Sequence, residues 1–297
     1  PVLLRLAEDE FWFSLSDSDL MLWLQGVNVS KKFDVEIDEI DVCPVQIQGP
    51  LSEDLMAKLA GEELREIPYY GLMETNIEGA DVVISQTGFT GEKGYEIYVR
   101  DAHENAEIVW NAVLEAGKEF GLMVIAPAHH RRIAAGILSW GQDLDLETSP
   151  FQVNLSYQVP RNKEADYIGK EELERQREVI DAGDFPFKMR MVGLTLGGKE
   201  ITDYAPDFWL IADTDGNDMG YVTSPWWSPE LNTNIALGWV PCTSSEVGTK
   251  LLVRLPDEYS ESSGVPVEAE VVDIPFRESV TPNKREVQKE KGLDYAD

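Results

Sequence analysis

The sequence predicts an α+β chain: a mixed α/β domain over residues 1–182, a small all-β barrel over 189–282, and a polar tail over 283–297. Three observations carry this reading. Up to about residue 180, strand-like alternation and helical apolar spacing interleave. Beyond the loop Asp181-Ala182-Gly183-Asp184-Phe185-Pro186, only short strand-like runs separated by Gly, Pro and Asn remain. A chain of 297 residues with 43% hydrophobic content is also long enough to build two cores.

Taken in order, Val2 to Leu6 and Glu10 to Leu15 read as paired strands across the acidic turn Ala7-Glu8-Asp9. Asp17-Ser18-Asp19 offers a cap for a helix carrying Leu20, Met21, Trp23 and Leu24, and Phe33 to Ile37 alternates as a strand. Val45 to Gln48 is a strand stopped by Gly49-Pro50, and Ser52 with an acidic first turn opens a helix to Leu59. A longer helix runs from about Ala102 to Phe120 with Ile108, Val109, Ala112, Val113 and Ala116 as its apolar stripe, and another from Ala128 to about Trp140. A charged helix follows Gly169. The barrel strands are placed at Met189–Leu196, Phe208–Ala212, Gly220–Thr223, Asn234–Val240, Leu251–Leu255 and Val267–Val272.

The organising stretch is Gln86-Thr87-Gly88-Phe89-Thr90-Gly91-Glu92-Lys93-Gly94-Tyr95-Glu96-Ile97. It joins the strand Asp81–Ser85 to the strand Tyr95–Val99 through three glycines, so it reads as a hairpin with a tight connection. Alternation puts Tyr95, Ile97 and Val99 on one face and Glu96 and Tyr98 on the other. A carboxylate at that position can accept paired hydrogen bonds from a planar N–H/NH₂ edge, and Phe89 can stack on a ring. On periodicity alone, a structural turn with one Glu is the commoner explanation.

This stretch is similar to the R-T-G-Y-T-G-E-x-G-[FY]-E-I signature of the folate-binding aminomethyltransferase family, to which the glycine cleavage T-protein belongs. Three further motifs resemble the same family in the same order. These are Arg132-Ile133-Ala134-Ala135-Gly136-Ile137-Leu138-Ser139-Trp140-Gly141-Gln142-Asp143, Tyr167-Ile168-Gly169-Lys170, and Gly220-Tyr221-Val222-Thr223-Ser224 with Asn234-Ile235-Ala236-Leu237-Gly238-Trp239-Val240. The opening Pro1-Val2-Leu3-Leu4-Arg5-Leu6-Ala7-Glu8-Asp9 looks more like dimethylsulfoniopropionate demethylases and related O-demethylases of the family.

The resemblance implies a folate-binding aminomethyltransferase-type domain, N-terminally incomplete, followed by the family's barrel. It implies tetrahydrofolate as cofactor, with the pterin on Glu96. The family's active-site Asp is expected just upstream of Pro1. Arg131 and Arg132 are candidates for the glutamate tail of the folate, with a surface ion pair as the other reading of each, and Trp140 is a further candidate around the cofactor. Trp12, Trp226 and Trp227 are candidate walls for a cationic or aromatic donor, although Trp226 and Trp227 equally suit simple packing. Ala134 stands where the family motif has Glu, and Ala128-His129 where it has Arg-Asp, so contacts to the tail and substrate are expected to differ.

The expected reaction moves a methyl group from a small sulfonium, amine or methoxy donor to N5 of tetrahydrofolate, mainly by orientation and electrostatic placement. Two alternatives stand beside it: a glycine cleavage aminomethyltransferase, which would need a lipoyl carrier protein, and a non-catalytic folate-binding regulatory protein. Lys+Arg 25 against Asp+Glu 55 gives a net charge of −30, which repels a phosphate backbone and makes nucleic acid a poor partner. That acidity is dispersed along the chain and suits a solvated surface in a high-salt cytoplasm. Two cysteines, Cys43 and Cys242, outline no disulfide framework, and no apolar run has the length of a membrane span, so a cytoplasmic protein with no membrane partner is expected. The adjacent His129 and His130 diverge on a helix, and no metal site is expected from them.

Overall fold

A computed structural model describes residues 1–15, 18–161 and 163–277. The chain forms two compact units, residues 1–127 and 128–297. Residues 128–181 therefore pack with the barrel, whereas the sequence reading groups them with the first domain and divides the chain at the 181–186 loop.

The first unit is built on an antiparallel four-stranded sheet in the order β3 (Val42–Gln48), β6 (Gly94–Arg100), β5 (Ala80–Ser85), β4 (Leu72–Ile77). Helices α2 (Ser52–Ala60) and α3 (Ala102–Gly117) cover one face. They bury Leu55, Met56, Val109 and Val113 against Tyr95, Ile97 and Val99, the alternate residues of β6. On the opposite face a two-stranded ribbon, β1 (Val2–Arg5) with β2 (Phe11–Ser14), packs Leu4 and Trp12 on Val83 and Tyr98. Strand β6 is thus buried on both sides. This explains why its six consecutive residues from Gly94 to Val99 are all buried.

Strand β4 carries no apolar alternation strong enough to announce it. It is made by its turn, where Glu78 at φ 51° and Gly79 at φ 90° form a two-residue hairpin that sends the chain back into β5, and Asn76 Oδ1 accepts from the Gly79 amide at 2.7 Å. Helix α1 (Leu20–Lys31) runs a turn further than its apolar spacing indicates and ends on Lys32 in the left-handed region. Of the cap expected there, Asp17 lies outside the described residues, and Asp19 makes no side-chain cap bond. The expected strand at Phe33–Ile37 does not form. That segment folds back on α1, with Asn28 clasping the Phe33 amide at 2.7 Å and Gln25 donating to the Ile37 carbonyl at 3.1 Å, so its backbone has no strand to pair with.

The second unit is a closed six-stranded antiparallel barrel in the order β10 (Thr233–Pro241), β7 (Met189–Leu196), β12 (Val267–Val272), β11 (Lys250–Val253), β8 (Trp209–Ala212), β9 (Asp218–Ser228). Val192, Leu194 and Leu196 alternate into its core with Ala236, Val240 and Val253. On the outside, Met191, Ile235, Leu237 and Trp239 pack against Ile133 and Ala134 of α4 (His129–Ala134). Helix α4 has six residues and not the thirteen expected to Trp140. It stops because Gly136 sits at φ 67° with its Cα against Ile274, where a Cβ would come within 2.4 Å of Cγ2. Helix α5 (Lys170–Asp181) follows Gly169, and Asp213 to Asn217 is a turn held by the Asp213 carboxylate. The 283–297 tail and the end of the expected barrel range after Arg277 lie outside the described residues.

Candidate functional site

The Gly-rich stretch is held from below by β3. Gln46 and Gln48, two apart on that strand, face Glu96 and Gly94 across the ladder. The Gln48 amide donates to the carbonyls of Thr87 at 3.1 Å and Tyr95 at 3.4 Å, and its oxygen accepts from Thr90 Oγ1 at 3.0 Å. One side chain thereby fixes both ends of the loop and its middle. Space for that amide is why glycines stand at 88 and 94: a Cβ at either position would lie 2.4 Å from Gln48 atoms, and at Gly94 also 2.6 Å from the Ile47 carbonyl. The Gly49 amide bonds to the Lys93 carbonyl at 2.9 Å. Ser52, expected as a helix cap, is the first residue of α2 and spends its hydroxyl on the same carbonyl at 3.0 Å.

This clamp yields a prediction. Gly94→Ala meets backbone as well as side chain, so relief requires parting β3 from β6, and overpacking of this kind costs about 1–3 kcal/mol. Denaturant unfolding is expected to show that loss, and a variant as stable as the parent would mean the loop is not set by Gln48.

Glu96 is 5% exposed and lies at the centre of a hydrogen-bond cluster. Its Oε1 accepts from Gln46 Nε2 at 2.9 Å, and its Oε2 accepts from the Thr87 hydroxyl and from Tyr98 Oη at 3.2 Å. Ser85 and Thr87 share a further bond at 3.0 Å. Burial, and then the charge of Glu96, push the Tyr98 phenol well above its ordinary range, so it remains a donor. A buried carboxylate met by three donors is a prearranged acceptor, suited to a ligand that brings N–H groups. Phe89 is half-buried in the adjoining loop. Trp12 packs on the cluster containing Tyr98, with the Arg100 guanidinium 4.5 Å above its ring and its own N–H on Glu10 at 3.2 Å.

The remaining residues singled out from sequence lie in the second unit. Arg132 is 1% exposed and is spent internally. Its Nη1 donates to Asp143 Oδ2 at 2.7 Å and the Ile137 carbonyl at 3.1 Å, and its Nη2 donates to Ser224 Oγ at 2.8 Å. The Asp143 carboxylate also accepts from Ser139 N, Thr223 Oγ1 and Ser224 Oγ at 2.6–2.7 Å. The guanidinium expected to greet a folate tail is, in this fold, the pin between the loop after α4 and strand β9. Arg131 and Trp140 are half-buried, and Trp140 makes a backbone bridge to Leu144.

Trp226 stacks on His129 at 5.4 Å, and Tyr204 tilts against the same imidazole at 5.5 Å. Together with Gln142 and Ser224 these rings line a small, open cleft. Burial, and then the Arg132 charge, lower the His129 pKa, which favours the neutral ring. Trp227 is half-buried, and its amide is bonded to the Ile201 carbonyl at 2.8 Å. Sequence reasoning singled out neither Gln46 nor Gln48, nor Thr87 as a partner of Glu96. The only signal was that Gln46 and Gln48 fall on one face of a strand ending in Gly-Pro.

Among the described residues, no group of three His, Cys, Asp or Glu could hold a metal ion, and no helix is long and apolar enough to cross a membrane. Comparison with known proteins agrees with the motifs. Residues 1–163 match the GCVT N-terminal domain, and residues 190–277 match the glycine cleavage T-protein C-terminal barrel domain. The chain is 35% identical over 257 residues to dimethylsulfoniopropionate demethylase DmdA of Ruegeria pomeroyi, covering 86% of this chain and 67% of that protein. It is 30% identical over 283 residues to an aminomethyltransferase of a Geobacillus species, covering 91% and 72%.

A crystal structure of glycine cleavage system aminomethyltransferase T from Bartonella henselae matches with a TM-score of 0.65 at 23% identity, over 86% of this chain and 66% of that one, which shows the fold. The chain thus spans about two thirds of the length of these relatives. With both domain matches in order and the Gly-rich hairpin and barrel where the motifs place them, the chain belongs to the glycine cleavage T-protein family of tetrahydrofolate-dependent one-carbon transferases.

Proposed function

We propose that this protein is a tetrahydrofolate-dependent demethylase that takes a methyl group from a small sulfonium, amine or methoxy compound. The observation that carries the folate part is Glu96, a buried carboxylate on a rigid Gly-rich hairpin, with hydroxyl and amide donors fixing its orientation. The fit to a pterin is chemical: an ionised carboxylate presents acceptors to an N–H/NH₂ edge, and Phe89 in the adjoining loop supplies a ring face. When bound, tetrahydrofolate supplies a nucleophilic N5 that accepts the methyl group.

The residues of this chain bind and orient. Gln48 and its glycines keep the loop in one conformation, and Thr87, Tyr98 and Gln46 keep the carboxylate in one rotamer. Trp12, next to Tyr98 in the packing, and the ring pair Trp226–His129 are surfaces of the kind a cationic methyl donor prefers. The similarity to DmdA supports the demethylase reading. A second reading, transfer of an aminomethyl carbon from a lipoyl carrier, is supported by the similarity to aminomethyltransferases. Dispersed acidity supports a place in a high-salt cytoplasm for either.

The two readings differ in product. With tetrahydrofolate and a free donor from a panel of dimethylsulfoniopropionate, glycine betaine, dimethylglycine and vanillate, mass spectrometry is expected to show 5-methyltetrahydrofolate, at a rate that rises with salt. Methylenetetrahydrofolate formed only when an aminomethyl-lipoyl carrier is supplied would replace the demethylase reading with the second one.

A further inference from the structure

A carboxylate offers four acceptor sites, two on each oxygen. In Glu96 three are filled: Oε2 accepts from Thr87 and Tyr98, and Oε1 accepts from Gln46. The two donors on Oε2 are themselves enclosed, Thr87 at 5% and Tyr98 at 3% exposure. A ligand with paired N–H donors therefore finds one site on Oε1 and none on Oε2, so the usual fork across both carboxylate oxygens is closed to it. Its second donor needs another acceptor.

Gln46 supplies one. Because a carboxylate only accepts, the amide must turn its NH₂ toward Glu96, and its carbonyl oxygen is left without a partner among the described residues on a side chain that is exposed. We infer that Gln46 is a ligand-recognition residue: the paired N–H donors of the ligand are shared between Oε1 of Glu96 and the amide oxygen of Gln46. This rests on the reading of Glu96 as the pterin-binding carboxylate and assigns the second half of that contact to β3. A ligand with a single N–H would gain nothing from Gln46, so the residue selects for an adjacent donor pair, as in a cyclic guanidine.

The test measures binding of 5-methyltetrahydrofolate to the full chain by calorimetry between pH 5.5 and 8, with thermal melting to establish folding. Gln46→Leu keeps the shape but removes donor and acceptor, and is expected to weaken binding about tenfold at every pH, the scale of one lost hydrogen bond. Gln46→Glu keeps an acceptor but places a second carboxylate beside Glu96. The neighbouring titratable groups are Glu96 and Tyr98, and the latter stays protonated. Two adjoining carboxylates hold a proton more tightly than one. Near pH 8 the Gln46→Glu protein should bind at least as weakly as Gln46→Leu. Near pH 5.5 its carboxylic acid again donates to Glu96 and accepts from the ligand, and affinity should return to within about threefold of the parent. A packing role alone would show no such recovery.

Glu96→Gln measured alongside separates the two levels of the argument. If Glu96→Gln binds as the parent does, the pterin assignment falls and this inference falls with it. If Glu96→Gln is weakened while both Gln46 variants match the parent, or Gln46→Glu is equally weak at both pH values, the inference is overturned and the pterin assignment stands.

Discussion

Replacing Asp143 by Ala is expected to destabilise the second unit by about 3–5 kcal/mol, because removing one member of a buried pair strands the other charge. The side chains of Arg132 and Asp143 are 2% and 0% exposed, and three further donors converge on the carboxylate from Ser139, Thr223 and Ser224. After the substitution the guanidinium would retain Ile137 and Ser224 as partners but would lose the counter-charge of Asp143, and among the described residues its Nε already lacks a hydrogen-bond partner. Denaturant unfolding read through tryptophan fluorescence is the measurement. The double variant Arg132→Met with Asp143→Leu should regain much of the loss, since neither charge then remains buried. A single Asp143→Ala variant within about 1 kcal/mol of the parent would contradict the pin assigned to this pair.

Glu96→Gln is expected to leave the fold in place and weaken 5-methyltetrahydrofolate binding by about 1–3 kcal/mol, the range for losing a charged hydrogen-bond partner. The fold survives because the substituted amide keeps the size of the carboxyl, and the Thr87 and Tyr98 hydroxyls can each turn to accept. Thr87 also has Ser85 within 3.0 Å as an alternative partner. Binding suffers because the amide carries no charge, so the ligand N–H that meets Oε1 loses a charge-assisted acceptor. Calorimetry on the folded variant decides the matter, and unchanged affinity would remove Glu96 from the cofactor site.

The elements that the sequence determined unaided are those in which local pattern and tertiary environment demand the same thing. The alternation of Tyr95, Ile97 and Val99 against Glu96 and Tyr98 gave the two faces of β6 correctly, because a period of two leaves no other way to divide an extended strand. The barrel strands were legible for the same reason, with β7 and β12 at the expected bounds. Family membership was legible from motifs that the domain matches bear out.

Tertiary structure decided the rest. Phe33–Ile37 alternates like a strand, yet strand pairing is a property of two segments, and side chains of α1 claimed its backbone first. The helix from Ala128 ends where Gly136 turns left-handed, at a position where Ile274, far along the chain, leaves no room for a Cβ. Arg132 carries the same residue type whether it greets a ligand or neutralises a buried Asp. Only the fold, which brings Ser224 to within 2.8 Å across 92 positions of sequence, assigned it to the second. Gln46 and Gln48 were silent in the sequence because an amide's role is set wholly by what lies opposite it, and the register of β3 on β6 places Glu96 and Gly94 there.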